Sequence, residues 1–363
     1  MHWKLLCTLV LAKPSFFWQK GGVKFISAPG KLFVAGEYAV VWGGTARVLA
    51  VPPRAWAAVQ MREDRRICLH LEEGALSGEA TPAGVLWRHP VTQPFLFAAR
   101  AVDHALAAHG QVALGFNVAM APTPSLQGRK LGLGSSARAA VLATKATLLA
   151  LGSAENPLPL ALRAHADAQK GKGSGADVAA CHMGGLVRYL RAPTPGTPPK
   201  VHSLHPKPFA LAYAFTGHSA STPSMLQAVE ARHNLKARQA FALSSDIWGE
   251  QLERAWLEGE WGAVVEAVEA LQSLLDKLLG EVPPAQEQIL RIAKAYGCAA
   301  KQSGAGGGDG CMVFAPEEER RQEVLEGLRR RGFWGTPLEI EPGVAIESDN
   351  TVEAEVLKRW LGQ

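Results

Sequence analysis

This chain of 363 residues has few cysteines, a small excess of charge and no long apolar run, and each shortage removes a class of function. The five cysteines, Cys7, Cys68, Cys181, Cys298 and Cys311, are scattered, and no two stand at CxxC spacing. Neither a zinc site nor a disulfide framework is supported, and a reducing cytoplasm is expected. Eleven histidines show no HExxH or comparable metal spacing. The net charge is +5, and charges are mixed along most of the chain without a basic run, so no nucleic-acid partner is expected. Nowhere do enough apolar residues follow one another to span a bilayer, so no membrane segment is expected either. The apolar run at residues 5–12 sits at the lower edge for a signal-peptide core. Residues 1–23 are read as an extension outside the folded part, either disordered or the product of a misassigned start. What remains is 47% hydrophobic residues, enough for a sizeable core in one two-lobed unit or two domains.

Glycine is placed where packing does not call for it. Lys130-Leu131-Gly132-Leu133-Gly134-Ser135-Ser136-Ala137 opens into an Ala- and Leu-rich run, residues 139–151, that reads as a buried helix. A helix start collects unpaired N–H groups and the positive end of the dipole, which together hold phosphate. The segment is neither a Walker A loop nor a GxGxxG dinucleotide fingerprint, and alone it could be a plain helix cap. An earlier segment, Ser27-Ala28-Pro29-Gly30-Lys31-Leu32-Phe33-Val34-Ala35-Gly36-Glu37-Tyr38, suggests strands meeting at a Pro-Gly turn that projects Lys31. A later one, Lys301-Gln302-Ser303-Gly304-Ala305-Gly306-Gly307-Gly308-Asp309-Gly310, precedes the strand-like residues 311–314. Each of its glycines carries an ordering cost, so close backbone approach to a ligand explains them better than a linker does.

In this order and spacing, the three segments closely resemble the three motifs of the GHMP kinase superfamily, and the resemblance runs from about Lys24 to the C-terminus. It implies an ATP-dependent small-molecule kinase of α+β class, with an N-terminal ribosomal-protein-S5-like lobe and a C-terminal ferredoxin-like lobe. Residues 164–179, residues 215–222 (Phe-Thr-Gly-His-Ser-Ala-Ser-Thr) and the Ser-Gly-Ala-Gly-Gly-Gly-Asp run most resemble the phosphomevalonate kinase branch. Mevalonate kinases typically carry a metal-binding Glu eleven residues before the catalytic Asp, and here that position is Ala166. Asp167 is no obvious substitute, because one helical step turns a side chain by roughly 100°. Arg138 stands where the family usually has a small residue; it either touches phosphate or, as expected here, reaches solvent.

The resemblance assigns roles residue by residue. Lys130, Gly132, Leu133, Gly134, Ser135, Ser136 and Ala137 would hold the ATP phosphates, with Ser135 or Ser136 ligating Mg2+ and Ser136 taken as the metal ligand. Lys31 would stabilise transition-state charge, and Asp177 would either take a proton or orient Lys31. The second role suits a phosphate acceptor, whose oxygen is already largely ionised. Lys172, Ser174, Ser221, Thr222, Lys301, Gly304, Gly306 and Gly307 are candidates for the substrate, 5-phosphomevalonate. The side-chain candidates Lys172, Ser174, Ser221, Thr222 and Lys301 could equally be caps or surface groups. Mevalonate or another small-molecule acceptor remains an alternative, as does a non-catalytic nucleotide sensor, which retention of Lys31 and Asp177 argues against. Oligomeric state is left open.

The Pro-rich cluster at residues 192–199 marks an expected boundary between lobes at residues 24–195 and 196–363. Strands alternate with turns over residues 23–118, interrupted by a helix at 94–108. Helices are expected at 157–169, capped by Asn156, and from 174 onward; a strand follows at 185–190. Beyond a strand at 209–215, helical patterns cover 224–258, 261–279 and 284–296, followed by a strand, a charged helix at 317–331 and a strand at 338–340.

Overall fold

The computed structural model describes residues 22–110, 114–122, 125–126, 129–192, 194, 197–207, 209–218 and 222–362. Most of the expected N-terminal extension, and Ser221, lie outside the described residues.

The chain begins with β1 (Val23–Ala35), a single 3-10 turn (Ala39–Trp42), β2 (Thr45–Met61), β3 (Arg66–Leu71), β4 (Gly74–Thr81) and β5 (Gly84–Trp87). Next come α1 (Leu96–His109), β6 (Phe116–Met120), the short β7 (Ser125–Leu126) and β8 (Arg129–Lys130), α2 (Ser135–Ala150), α3 (Pro157–Ala168), α4 (Ala176–Met183), β9 (Leu186–Leu190) and β10 (Lys200–Leu204). The remainder is β11 (Ala210–Phe215), α5 (Thr222–Arg232), α6 (Leu235–Glu258), α7 (Trp261–Leu279), α8 (Pro284–Ala295), β12 (Ala299–Ser303), β13 (Gly310–Ala315), α9 (Glu318–Arg330), β14 (Trp334–Leu338), β15 (Ala345–Glu347) and α10 (Val352–Trp360).

The first sheet runs β10-β9-β2-β6-β3-β4-β5, with β1 on the other edge of β2 and β15 beyond β1. Pro29-Gly30 does not make the expected turn. β1 passes straight through it, paired antiparallel with β2, and the register shifts between Ala28 and Gly30. Across the shift Pro29 of β1 stands opposite Pro52, Pro53 and Arg54 of β2, so the extra residues lie in β2. Prolines have no N–H to give a ladder bond, and an irregularity costs less there than elsewhere in the strands. Beyond it Gly30 lies so close to Leu133 that a β-carbon would sit 3.2 Å from the leucine's Cβ. Side chains of alternate residues reach opposite faces of a strand. Ile26 joins the core under α1–α4, while Phe25 meets Ala354 and Leu357 of α10.

The second sheet has the order β12-β13-β11-β14, antiparallel throughout, with one helical connection before β12 and α9 before β14. That is the expected ferredoxin-like arrangement. It is buried on both faces. Ala212 and Ala214 pack on Ile289 and Ala293 of α8 and on Val324 and Leu328 of α9. Leu211, Tyr213 and Phe215 point into a core shared with Trp256 of α6, α7, and Leu32, Val34, Leu49 and Val51 of the first sheet. β10, β15 and α10 lie beyond residue 196 yet pair with or pack on the first sheet, so the expected boundary at 195/196 does not separate the two sheets. The helical pattern at 224–258 is two helices: Asn234 accepts a bond from the Ala237 N–H at 2.9 Å and so starts α6 anew. The final strand of this sheet is Trp334–Leu338, earlier than the expected 338–340, because its register against β11 pairs Trp334 with Phe215.

Candidate active site

Alternating leucine and glycine build the loop before α2. Leu131 and Leu133 are buried in the core shared by the two sheets, and the Leu131 carbonyl accepts a bond from the Tyr213 hydroxyl at 2.7 Å. Burying a leucine contributes about 2 kcal/mol, which outweighs the ordering cost of about 0.5–1 kcal/mol at each neighbouring glycine. Gly132 and Gly134 adopt φ of 73° and 79°. At Gly132 a β-carbon would come within 2.7 Å of the Asp309 carboxyl carbon, and at Gly134 within 2.8 Å of Lys31 Cγ. Both positions therefore need glycine for conformation and for space. Gly134 caps α2 without a side-chain acceptor, and the first helical bond runs from the Arg138 N–H to the Gly134 carbonyl at 3.0 Å. The amides of Ser135, Ser136 and Ala137 precede that bond and point out of the helix end, a ready anion cradle. The helix starts at Ser135, so the two serines stand at its opening turn, while the Ala137 side chain is buried in the core.

Lys31 reaches this loop from β1. Its N–H donates to the Leu133 carbonyl at 3.1 Å and its ammonium to the Gly132 carbonyl at 3.1 Å, with the ammonium 5.5 Å from the centre of the Phe33 ring. Opposite it, α4 begins after Gly175, whose φ of 86° leaves no room for a side chain between Leu162 and Tyr189. Burial pushes the Tyr189 hydroxyl up to about 12, so it stays protonated and donates to the Ser174 carbonyl at 2.7 Å. This fixes the turn that presents Asp177 in the first turn of α4, where the helix dipole favours its charge. Asp177 Oδ1 accepts from the Val178 N–H at 2.9 Å.

The third glycine segment closes the site from the second sheet. Asp309, for which the sequence reading gave no role, has φ of 54°; its carbonyl accepts from the Thr216 N–H and hydroxyl, each at 2.8 Å, and its N–H donates to the His218 carbonyl at 2.6 Å. Glu37 and Tyr38, which end the first segment, clasp the third: the Lys301 ammonium pairs with Glu37, and the Tyr38 hydroxyl donates to the Ala305 carbonyl.

Lys31, Lys130, Gly132, Leu133, Gly134, Ser135, Ser136, Lys172, Ser174, Asp177, Gly304, Ala305 and Asp309 all line one cavity of about 940 Å³. That is room for a nucleotide and a small acceptor together. Lys301 is not among its walls. Its side chain is wholly buried and committed to Glu37 and the Gln302 carbonyl, so it supports the site instead of meeting a substrate as expected. Gly306 and Gly307 also stand back from the cavity, against Leu279 and Met225. Ser221 lies outside the described residues, and Thr222 opens α5. Arg138 is only 2% exposed, contrary to the solvated placement expected for it. From the first turn of α2 it forms part of the cavity wall and reaches the sheet, where its Nη1 donates to the Pro53 carbonyl at 3.0 Å; burial pushes its pKa down. Asp167 is half-exposed and paired with Arg100 and His104, away from Ser136. His165, its neighbour but one, is buried with Nε2 3.2 Å from Ser136 Oγ. It was missed because a lone histidine carries no signal at sequence level.

Among the described residues no three His, Cys, Asp or Glu side chains form a metal cage, and no helix is long and apolar enough to cross a membrane. A hard divalent cation needs no such cage when substrate phosphates supply most of its ligands, and Ser136 and Asp177 offer oxygens of the right type.

A family model described as GHMP kinases N terminal domain matches residues 97–185, and one described as GHMP kinases C terminal matches residues 251–333. The chain is 29% identical to a phosphomevalonate kinase of Streptomyces, over 87% of this chain and 96% of that protein. It is 27% identical to a mevalonate kinase of Aeropyrum pernix, over 83% of this chain and 91% of that protein. Its fold is similar to that of Streptococcus pneumoniae phosphomevalonate kinase in complex with phosphomevalonate and AMPPNP. The TM-score there is 0.73 at 20% identity, covering 89% of this chain and 99% of that one.

Proposed function

We propose, because this chain belongs to the GHMP kinase family, that it transfers the γ-phosphoryl group of ATP to the phosphate of 5-phosphomevalonate, in the cytoplasm, on the mevalonate route to isoprenoids. The observation that carries the reading is the meeting of the α2 amides, Lys31 and Asp177 on one cavity. Similarity to phosphomevalonate kinases and the lack of a carboxylate at Ala166 support the phosphorylated acceptor over mevalonate.

Phosphoryl transfer asks a protein for alignment and charge neutralisation more than for covalent chemistry. Bound ATP with Mg2+ supplies the phosphoryl group and part of the neutralising charge. The amides of Ser135, Ser136 and Ala137 would bind phosphate oxygens, with Ser136 Oγ on the metal side. Lys31 stabilises the charge that develops between acceptor and γ-phosphate. Lys172 and Ser174 face the acceptor, while the Lys301–Glu37 pair and Tyr38 hold the third segment in place. Little proton abstraction is needed from an ionised phosphate, so Asp177 orients Lys31.

A coupled assay with the two acceptors side by side tests the assignment. Turnover of 5-phosphomevalonate with little or none of mevalonate is expected; the reverse preference would sink it. The loop is tested separately by Gly132→Ala, which forces a β-carbon against Asp309 at a left-handed φ. ATP affinity measured by calorimetry should fall about tenfold or more, the strain being of order 1–3 kcal/mol. Wild-type affinity would remove the loop from the nucleotide site.

A further inference from the structure

The residue left unexplained by the proposed function is His165. It projects from α3, is 1% exposed and lies with its ring centre 5.1 Å from that of Phe97. Packing alone would be served by an apolar residue, and a buried imidazole requires a partner. Its partner is Ser136 Oγ, at 3.2 Å from Nε2, and Asp177 Oδ2 is 3.9 Å from the same nitrogen.

A serine hydroxyl has one hydrogen and two lone pairs. In the interior of a helix it commonly gives the hydrogen to the carbonyl four residues back. Ser136 is the second residue of α2, ahead of the first helical bond at the Gly134 carbonyl, so no helical carbonyl stands four residues back to take its hydrogen. His165 offers an acceptor instead. A hydroxyl that gives its hydrogen to Nε2 keeps its lone pairs for the cavity, on whose wall Ser136 stands. His165 itself is not part of that wall, and imidazole is a poor ligand for a hard cation such as Mg2+. It therefore acts through the serine.

We propose that His165 is a positioning residue which accepts the Ser136 hydroxyl hydrogen and so turns the serine's lone pairs toward the divalent cation bound with ATP. The chain would thereby meet, with a serine held from behind, part of the need that a carboxylate at residue 166 does not supply here. This inference rests on the ATP-binding part of the proposed function and is independent of the acceptor.

Calorimetric titration of the full-length protein with ATP, with and without Mg2+, separates the role from packing. In His165→Phe, which keeps an aromatic ring but no acceptor, metal-free ATP should bind within about twofold of wild type. The gain in affinity on adding Mg2+ should shrink about tenfold, the equivalent of one net hydrogen bond of about 1.4 kcal/mol. His165→Gln, whose side-chain carbonyl can accept, should recover most of that gain. On a Ser136→Ala background, His165→Phe should cost nothing further. An undiminished Mg2+ increment in His165→Phe overturns the proposal, as do equal losses in the Phe and Gln variants or an added loss on the Ser136→Ala background. If His165→Phe fails to fold, the Gln variant and Ser136→Ala still decide: a normal Mg2+ increment in Ser136→Ala also overturns it. Failure of wild-type protein to use 5-phosphomevalonate while its Mg2+ increment persists would count against the acceptor alone.

Discussion

Lys31→Met should lower turnover by about 10² or more while ATP still binds, the cost of one electrostatic stabiliser being roughly 3 kcal/mol. Methionine keeps the unbranched stem that passes Gly134, so the loop loses a charge and little of its packing. The ammonium is held by the Gly132 carbonyl, at 3.1 Å, so its position is tied to the loop proposed to hold the phosphates. On the proposed reading, ground-state affinity has other sources, the α2 amides above all. The split between turnover and affinity is thus the signature: steady-state kinetics should show a lower kcat, and calorimetry an ATP affinity within a few-fold of wild type. Wild-type turnover would remove Lys31 from the chemistry.

Asp177→Asn should also reduce turnover by about 10², since the neutral amide keeps the shape of the side chain while removing the charge proposed to orient Lys31. The more informative variant is the double one. If Asp177 acts chiefly by placing Lys31, then once Lys31 is methionine the carboxylate has nothing left to place. The double variant should then be far less impaired than the product of the two single losses. Multiplicative losses would mean that the carboxylate acts on its own, as a base or as a metal ligand.

The glycine loops were readable in the sequence because glycine is costly to order and no packing need accounts for a cluster of it. Positive φ at Gly132, Gly134, Gly304, Gly306 and Gly307 adds a conformational need that the cost argument alone does not contain. Function does not follow from φ, however: Gly306 and Gly307 shape the turn that presents Asp309 and stand away from the cavity. Lys301 shows a second limit. A lysine beside a glycine-rich run looks like a ligand for an anion, yet its counter-charge is Glu37, 264 residues away in sequence, and only the fold brings the two together. Arg138 and His165 have the same origin. Which face of α2 or α3 meets the sheet depends on helix packing, and a single polar residue on an apolar face carries no signal of its own. Pro29-Gly30 read as a turn because local chemistry favours one; pairing of β1 with β2 on both sides of it overrides that preference.

The central claim, that the accepting group is itself a phosphate, is tested most directly by the phosphorus spectrum of the product. With ATP, Mg2+ and 5-phosphomevalonate, the monophosphate resonance of the acceptor should be replaced by two mutually coupled diphosphate resonances distinct from those of ADP. A new monophosphate formed only from mevalonate, or inorganic phosphate alone, would contradict the claim.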